Sequence, residues 1–248
     1  MPHIYAFAGS VSAGGTDVAI PPVIGTAEYV QNNRLVLPSD QFLLWAYFQG
    51  ANLTRVRIDS PSLRAQVLPR FPYFKRGTVP GNQPPVNDLG GYGFVLRGRE
   101  EIAVQTSNNL GSGTERHYAV ICVSGVGVGS PSAPEFWLRA TGSTTLTPDA
   151  WTLVPLTFEQ TLPAGRYRIV ALIVRSATGI AARVIIPGMG DRPGILCINN
   201  IGDEPNRFLM RHAYGDYGTF DSVALPSLEI LASGADNSQE VYLGLRRA

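Results

Sequence analysis

The sequence predicts an all-β protein built from two tandem eight-stranded antiparallel jelly-roll barrels, with at most one or two short helices. Three observations support this fold class. A stretch of the first half, Leu37–Pro61, recurs about half a chain later as Leu162–Pro187. Each half contains about seven or eight short apolar runs bounded by Pro, Gly, Asp or Ser, which is the strand count of a jelly roll. Residues 124–134 are rich in Gly, Ser and Pro, as a linker between the halves would be.

The internal repeat sets the domain organisation. Its first copy reads LPSDQFLLWAYFQGANLTRVRIDSP and its second LPAGRYRIVALIVRSATGIAARVIIP. The matched residues are Leu37 with Leu162, Phe42 with Tyr167, Ala46 with Ala171, Arg57 with Arg183 and Pro61 with Pro187, with one extra residue in the turn of the second copy. Further matches follow in the same order: Gly81–Pro84 with Gly202–Pro205, Tyr92–Phe94 with Tyr217–Phe220, Glu101–Val104 with Glu229–Ala232, and Tyr118–Ile121 with Tyr242–Leu245. Matches that keep their order indicate a duplication.

The chain divides into four parts. Residues 1–33 are an extended arm with a strand at His3–Ala8, residues 34–123 the first barrel, 124–134 the linker and 135–248 the second barrel. A helix is predicted at Asn206–Tyr214, after the capping residue Asp203 and after Pro205. The predicted strands include Gln41–Phe48, Asn52–Ile58, Leu63–Leu68, Arg166–Val174, Gly179–Ile186 and Ser222–Leu225.

Charge and composition argue against direct nucleic-acid binding. The net charge is +1, and nineteen arginines and one lysine, Lys75, are spread along the chain. The first 33 residues contain no Lys or Arg, so the basic arm with which many coat proteins neutralise a genome is missing. Neither a signal peptide nor an apolar run long enough for a membrane helix is found, so we expect a soluble protein made in the cytoplasm.

Histidine and cysteine patterns do not predict a metal or nucleophile site. The three histidines, His3, His117 and His212, are far apart in sequence, and we interpret His117 and His212 as surface or capping residues. Cys122 and Cys197 lie in apolar runs, which is typical of buried reduced thiols. No Gly-x-Ser-x-Gly elbow occurs. We therefore expect no catalytic residue, no metal site and no cofactor.

Carboxylates and tryptophans also favour structural roles. Adjacent Glu100 and Glu101 face opposite sides of a strand and cannot form one acid/base pair. Acidic loops around Asp191 and Asp203 have oxygen ligands that calcium accepts, although their spacing does not require it. The three tryptophans, Trp45, Trp137 and Trp151, all lie in apolar strand-like runs, which predicts packing in a core or an interface instead of an exposed sugar platform.

With its duplicated strand order, the chain resembles the double jelly-roll major capsid proteins of the adenovirus and tailless-phage lineage, especially those of tectiviruses and corticoviruses. The resemblance implies a virion protein, made in the host cytoplasm, whose homotrimers form pseudo-hexagonal capsomers of an icosahedral shell. It implies no enzymatic activity. The implied partners are neighbouring capsomers, vertex or minor capsid proteins and an internal membrane, without sequence-specific nucleic-acid binding.

The same resemblance implies which residues make contacts. Phe42–Phe48 is apolar on both faces, so this strand should lie between its own core and another body. The candidates for packing between the barrels are Phe42, Leu44, Trp45, Tyr47, Ile169 and Leu172. Loops 77–93 and 199–219 would reach adjacent subunits. Their candidate contact residues are Pro84, Pro85, Tyr92, Arg207, Arg211, Tyr214 and Tyr217.

Two alternatives remain open at the level of sequence. The first is a double-barrel, bicupin-like sugar-binding protein or enzyme, and the second is a tail-fibre or adhesion module. A trimer with a hexagonal outline would favour the capsid protein, whereas a monomer that binds a transition metal or a glycan would favour the first alternative.

Overall fold

The computed structural model describes residues 1–25, 28–66, 86–89, 93–125, 133–190, 192–198 and 213–248, with the side chain of Gln66 left aside. The protein is all-β, with four antiparallel sheets and one short helix in these ranges. The chain folds into two units. The N-terminal unit is Tyr5–Val126, and the C-terminal unit is Gly127–Ala248 together with Met1–Ile4.

The N-terminal unit contains two sheets. Its elements are β1 (Pro2–Ser12, whose first residues belong to the C-terminal unit), β2 (Val18–Ile20), β3 (Tyr29–Gln31), β4 (Arg34–Val36), β5 (Gln41–Gln49), β6 (Leu53–Asp59), helix α1 (Pro61–Gln66), β7 (Asn87–Asp88), β8 (Val95–Leu96), β9 (Glu101–Asn108) and β10 (Thr114–Ser124). The N1 sheet has the order β1-β10-β5-β7, with β8 also pairing β5. The N2 sheet has the order β2-β9-β4-β3, with β6 also pairing β9.

The C-terminal unit likewise contains two sheets. Its strands are β11 (Phe136–Gly142), β12 (Trp151–Val154), β13 (Thr157–Phe158), β14 (Arg166–Arg175), β15 (Gly179–Ile185), β16 (Gly194–Leu196), β17 (Thr219–Asp221), β18 (Ser227–Ala232) and β19 (Gln239–Arg247). The C1 sheet has the order β13-β11-β19-β14-β17, and the C2 sheet has the order β12-β18-β15-β16.

Each unit has its own hydrophobic core, formed by alternate residues of its strands. In β6, for example, Val56 and Ile58 lie in the N-terminal core while Arg55 and Arg57 face away from it. The C-terminal core is built in the same way from residues between Leu138 and Leu245. No helix in the described ranges is of a length and apolarity that would cross a membrane.

The two units repeat one strand plan down to its irregularities. A register shift in the β5–β10 pairing leaves Leu44 without an opposite residue, and one in β14–β19 does the same to Val170. A second pair of shifts falls at Thr54 in β6–β9 and at Ile180 in β15–β18. Both pairs are 126 positions apart (44 to 170, 54 to 180). Such β-bulges are structural features of a strand and recur with its fold.

These bulges correct the sequence alignment of the repeat. Ala46 lies in the N-terminal core, and its counterpart in the C-terminal core is Leu172. Ala171, the residue matched to it by sequence, is on the opposite face, because a shift of one residue moves a side chain across the sheet. The extra residue of the second copy therefore precedes β14 instead of lying in the turn after it.

The strand register also changes two of the sequence matches that follow the repeat, those of Glu101–Val104 and Tyr118–Ile121. Arg57 pairs with Gln105, and Arg183 pairs with Glu229, so Gln105 and not Glu101 is the counterpart of Glu229. Tyr118 pairs with Gln49, and Glu240 pairs with Arg175, 126 positions after Gln49. The counterpart of Tyr118 is therefore Glu240 and not Tyr242.

Two predicted strands are wrong. The segment predicted as the strand Leu63–Leu68 contains the end of helix α1, which starts at Pro61. The hydroxyl of Ser60 accepts the amide hydrogen bond of Leu63 at 3.2 Å, so Ser60 caps this helix. Ser222–Leu225 is a turn after β17, closed by the hydrogen bond from Ala224 N to Asp221 O at 2.9 Å.

Two other predictions concern the arm at residues 1–33 and the helix within loop 199–219. The arm predicted at 1–33 includes the strand β1, which pairs with β10 along one edge of the N1 sheet. Residues 206–212 of the predicted helix lie outside the described residues, and Tyr214 forms a β-bridge with Ala171.

Candidate interaction surface

The C1 sheet has core residues on one face and an aromatic and charged surface on the other. Leu138, Leu172 and Leu243 belong to the core, so their alternating neighbours point away from it. We call the opposite side the C1 outer face. It consists of Trp137, Arg139, Ala171, Ile173, Arg175, Glu240, Tyr242 and Gly244, with Tyr214 lying beside Ala171.

An exposed aromatic pair occupies one end of the C1 outer face. The rings of Trp137 and Tyr214 meet edge to face, with centroids 6.4 Å apart and planes at 78°. They remain 41% and 40% exposed. Backbone hydrogen bonds hold the Tyr214 segment against β14, from Leu172 N to Ala213 O and from Gly215 N to Val170 O, both 2.9 Å.

Small residues allow the close approach of the backbones beneath this pair. Gly244 of β19 lies opposite both Trp137 and Ala171. A Cβ atom at Gly244 would lie 2.8 Å from the Cβ of Ala171 and 3.0 Å from that of Pro134. The glycine is therefore required by packing at this position.

The other end of the C1 outer face is a network of ion pairs across three strands. Arg139 binds the carboxylates of Glu159 and of Glu240, the latter at 2.7 Å. Arg175 donates to the second oxygen of Glu240 at 2.8 Å. The hydrogen bond from Arg139, together with the charge of Arg175, holds the pKa of Glu240 below its usual range. Because these side chains are 29–46% exposed, the network contributes little to stability but gives the surface a fixed charge pattern.

A cavity of about 240 Å³ adjoins this network and is lined by Arg175, Ser176, Ala177, Ile198, Asp236, Ser238 and Glu240. One oxygen of Asp236 accepts hydrogen bonds from the Ser176 hydroxyl at 2.5 Å and from Ala177 N at 2.9 Å. The other oxygen accepts from Ser238 N at 3.0 Å. The carboxylate thus orders its own loops and has the hydrogen bonding of a structural group.

A buried ion pair lies on the outer face of the C2 sheet. Arg183 of β15 donates to Glu229 of β18 at 2.6 Å, and its guanidinium lies 3.8 Å from the ring centroid of Trp151. The side chains of Arg183 and Glu229 are only 1% and 8% exposed. We call this side, with Ala181, Leu231 and Leu153, the C2 outer face; its ion pair is buried, whereas Leu153, opposite Glu229, is 54% exposed.

His117 is completely buried, which corrects the interpretation as a surface or capping residue. Its Nδ1 lies 2.8 Å from the Thr106 hydroxyl and its Nε2 lies 2.5 Å from Glu115 Oε1. Since a carboxylate only accepts, Nε2 carries the proton in that hydrogen bond. Glu115 also accepts from the side-chain amide of Asn52 at 2.7 Å, so the cluster ties β9 and β10 to the β5–β6 turn.

Neither cysteine nor metal chemistry is indicated by the described residues. Cys122 and Cys197 are buried thiols outside any disulfide, and burial raises the pKa of both, which disfavours the reactive thiolate. No group of three or more metal-ligating side chains occurs in the described ranges. The calcium candidates Asp191 and Asp203 lie outside the described residues.

The residues predicted to pack between barrels divide into two groups. Ile169 and Leu172 are fully buried in the core of the C-terminal unit, because the bulge at Val170 turns both toward it. Trp45 and Tyr47 are outside the N-terminal core cluster, yet only 4% and 5% exposed. Phe42 and Leu44 of the same strand are half-buried. Thus β5 is largely buried on both faces, and packing between barrels stays a prediction.

The residues predicted as loop contacts also differ in their location. Tyr214 is exposed on the C1 outer face, whereas Tyr217 is 1% exposed and belongs to the C-terminal core. The backbone N–H of Tyr217 donates to Ile169 O of β14 at 2.9 Å, and the role of Tyr217 as a subunit contact stays a prediction. The remaining candidates, Pro84, Pro85, Tyr92, Arg207 and Arg211, lie outside the described residues.

Arg139 and Glu240 are not predicted as contacts, and Trp137 is predicted to pack in a core or an interface; the strand pairing places all three on the C1 outer face. The signal is present in the sequence, because Trp137 and Arg139 are two positions apart and alternate with apolar Leu138 and Ala140. A strand with this pattern presents its tryptophan on the same face as its arginine.

The chain matches no protein-family model, and no curated protein is significantly similar to it in sequence.

Proposed function

We propose that the chain is a viral major capsid protein whose trimers form pseudo-hexagonal capsomers of an icosahedral shell. The observation that carries this proposal is the strand plan that occurs twice in one chain, with both bulges in place. Three such chains supply six similar units, and six similar units can approximate a sixfold outline under threefold symmetry.

The proposal includes two jelly-roll barrels. In the C-terminal unit, the eight main strands, counted along the chain without the short β13, have the orders 1-8-3-6 in C1 and 2-7-4-5 in C2. A jelly roll, whose eight strands form two Greek keys, also has sequence-distant strands side by side, and these strand orders support that part of the proposal. In the N-terminal unit, β1-β10-β5-β7 follows the first order and β2-β9-β6 follows the second.

The surfaces of the protein support the proposed capsid role in addition to the repeated strand plan. A shell protein has to present large faces to its neighbours, and the C1 outer face combines an exposed aromatic pair with fixed charges. We propose neighbouring capsomers and vertex or minor capsid proteins as partners, an internal membrane beneath the shell, and the virion as the location. The proposal includes no direct contact with the genome, because the net charge of the chain is only +1.

Electron microscopy of the purified protein at high concentration tests this function. We expect uniform particles with a hexagonal outline and threefold averages that resolve six similar lobes. Compact single-chain particles at every concentration, without larger assemblies, would contradict the capsid role.

A sugar-binding double barrel is the second candidate, and the exposed Trp137–Tyr214 pair favours it. A glycan array separates the two: saturable binding that Trp137→Ala abolishes, by a protein that stays monomeric, supports the second candidate. Tail-fibre or adhesion modules would bind in the same assay, but would form elongated assemblies.

A further inference from the structure

The same sheet face is buried in the N-terminal unit and partly exposed in the C-terminal unit. We call the side of the N1 sheet opposite its core the N1 outer face; its residues Trp45, Tyr47, Tyr118, Val120 and Cys122 are all at most 5% exposed. Their counterparts in the C1 sheet are Ala171, Ile173, Glu240, Tyr242 and Gly244. This C1 outer face is flanked by Trp137 and Tyr214, which are 41% and 40% exposed.

The second sheets have the opposite pattern. On the C2 outer face, Arg183 and Glu229 are buried. Their counterparts on the N2 sheet are Arg57 and Gln105, which are half-buried, and Arg57 has a side-chain exposure of 23%. Together with Arg55 and Asp17 they form the N2 outer face. Among the described residues, the charged side chains of the C1 and N2 outer faces are thus partly exposed, whereas the N1 outer face and the Arg183–Glu229 pair of C2 are buried.

We propose that the C1 outer face of one chain binds the N2 outer face of a second copy of this chain. The proposal rests on the proposed function, for which it supplies the contact between subunits. Because these two faces differ, the contact is heterologous, and repeated heterologous contacts close into a ring when their rotation allows it.

The chemistry of the two faces is complementary. The N2 outer face and its margin present Arg55, Arg57 and Arg64 against two carboxylates, those of Asp17 and Asp59. The C1 outer face presents two partly exposed aromatic rings, and its carboxylates Glu159 and Glu240 are paired within the face with Arg139 and Arg175, so the rings are the groups it offers to the arginine in excess on the N2 outer face. Arginine binds an aromatic ring by stacking on it.

The chain itself contains an example of such a contact. Arg183, the counterpart of Arg57, lies 3.8 Å from the Trp151 ring centroid and pairs with Glu229. Since Gln105 stands where Glu229 stands in the C2 sheet, Arg57 lacks that carboxylate on β9. A second copy offers the ring of Trp137 as the counterpart of Trp151.

Site-directed photo-cross-linking tests the contact. Trp137→Cys is labelled with a benzophenone maleimide, which is specific because Cys122 and Cys197 are buried. Equal amounts of isotope-labelled and unlabelled chains are mixed, irradiated and analysed by mass spectrometry. We expect mixed-isotope adducts in Leu53–Asp59 and Glu101–Asn108. The matched control is Val223→Cys, 89% exposed in a turn, which should give no adducts in these strands.

A second variant measures the energetics without a label. Trp137→Ala/Tyr214→Ala should keep its circular dichroism spectrum and weaken self-association about tenfold or more, as expected for exposed aromatic contact residues. Trimers whose adducts map to other surfaces would overturn this inference and leave the proposed function standing. A protein that remains monomeric, with or without glycan binding, would overturn both.

Discussion

Arg183 is the largest fully buried side chain of the described residues, and it carries a charge. Its guanidinium has a carboxylate on one side, Glu229, and an aromatic ring on another, Trp151. Such a pair fixes geometry more than it adds stability, since removing two charges from water costs about as much as their attraction returns. The sequence identified Arg183 as a repeat position, but burial depends on what covers a strand, which periodicity does not report.

Replacing one partner of this pair should be strongly destabilising. Arg183→Met leaves Glu229 buried without its guanidinium, so we expect unfolding free energy to fall by about 3–5 kcal/mol. Urea unfolding followed by tryptophan fluorescence measures it. Arg183→Met/Glu229→Leu should regain much of the loss, and the control Arg139→Met, at a 39% exposed position, should change stability far less. Equal losses in the two single variants would show that burial of Arg183 is not the cause.

Asp59 gives the N-terminal unit a pH-dependent contact. Its carboxylate accepts from Arg64 at 2.6 and 2.7 Å and from Arg57 at 3.0 Å, while its side chain is 5% exposed. The hydrogen bonds from Arg64 hold the pKa of Asp59 below its usual range, with a smaller contribution from Arg57. A lowered pKa in the folded state means that this stabilisation is present above the unfolded pKa and is lost as the pH falls through the folded value.

Removing this carboxylate should flatten the acid limb of the stability curve. We expect the urea midpoint of Asp59→Asn to fall less steeply than the wild type between about pH 5 and pH 2. The control is Asp221→Asn, which removes an exposed carboxylate of the C-terminal unit. An unchanged slope in Asp59→Asn would rule out a linkage through Asp59.

At the scale of elements, apolar runs and turn residues identify most strands, including the paired strands β5–β6 and β14–β15. The sequence does not give their register, because a bulge adds a residue without any compositional mark. Ala46 and Ala171 are aligned in the sequence repeat, but the register set by the bulges at Leu44 and Val170 puts them on opposite faces of their sheets. Helix α1 was missed for another reason: its six residues are too few for a helical period, although Ser60 and Pro61 signal its start.

The close pairing of β19 with β14 at Gly244 gives a test at this scale. A methyl group at Gly244 would enter the van der Waals shells of Ala171 and Pro134. Gly244→Ala should therefore lower the unfolding free energy by about 1–3 kcal/mol, measured by urea denaturation. At Gly234 the nearest atom to an added Cβ is 3.4 Å away, and Gly234→Ala should be close to neutral. Similar effects of both substitutions would contradict the assigned packing.

At the scale of the whole molecule, the duplication predicted from sequence corresponds to a shared strand plan with two shared bulges. The candidate surface was less predictable. The loop composition predicts Tyr214 as a contact and the apolar run predicts Trp137 in a core or an interface, but neither pattern points to Arg139 or Glu240. Their grouping depends on the pairing of β11, β19 and β14, and long-range pairing leaves no local pattern in the sequence.

The mass of the assembly in solution tests the central claim most directly. Sedimentation equilibrium across a wide concentration range should fit a species of three 26.7 kDa chains, about 80 kDa, because pseudo-sixfold packing requires three chains of two units each. A single 26.7 kDa species at all concentrations, or a closed dimer, would contradict the capsid role and the heterologous contact proposed for it.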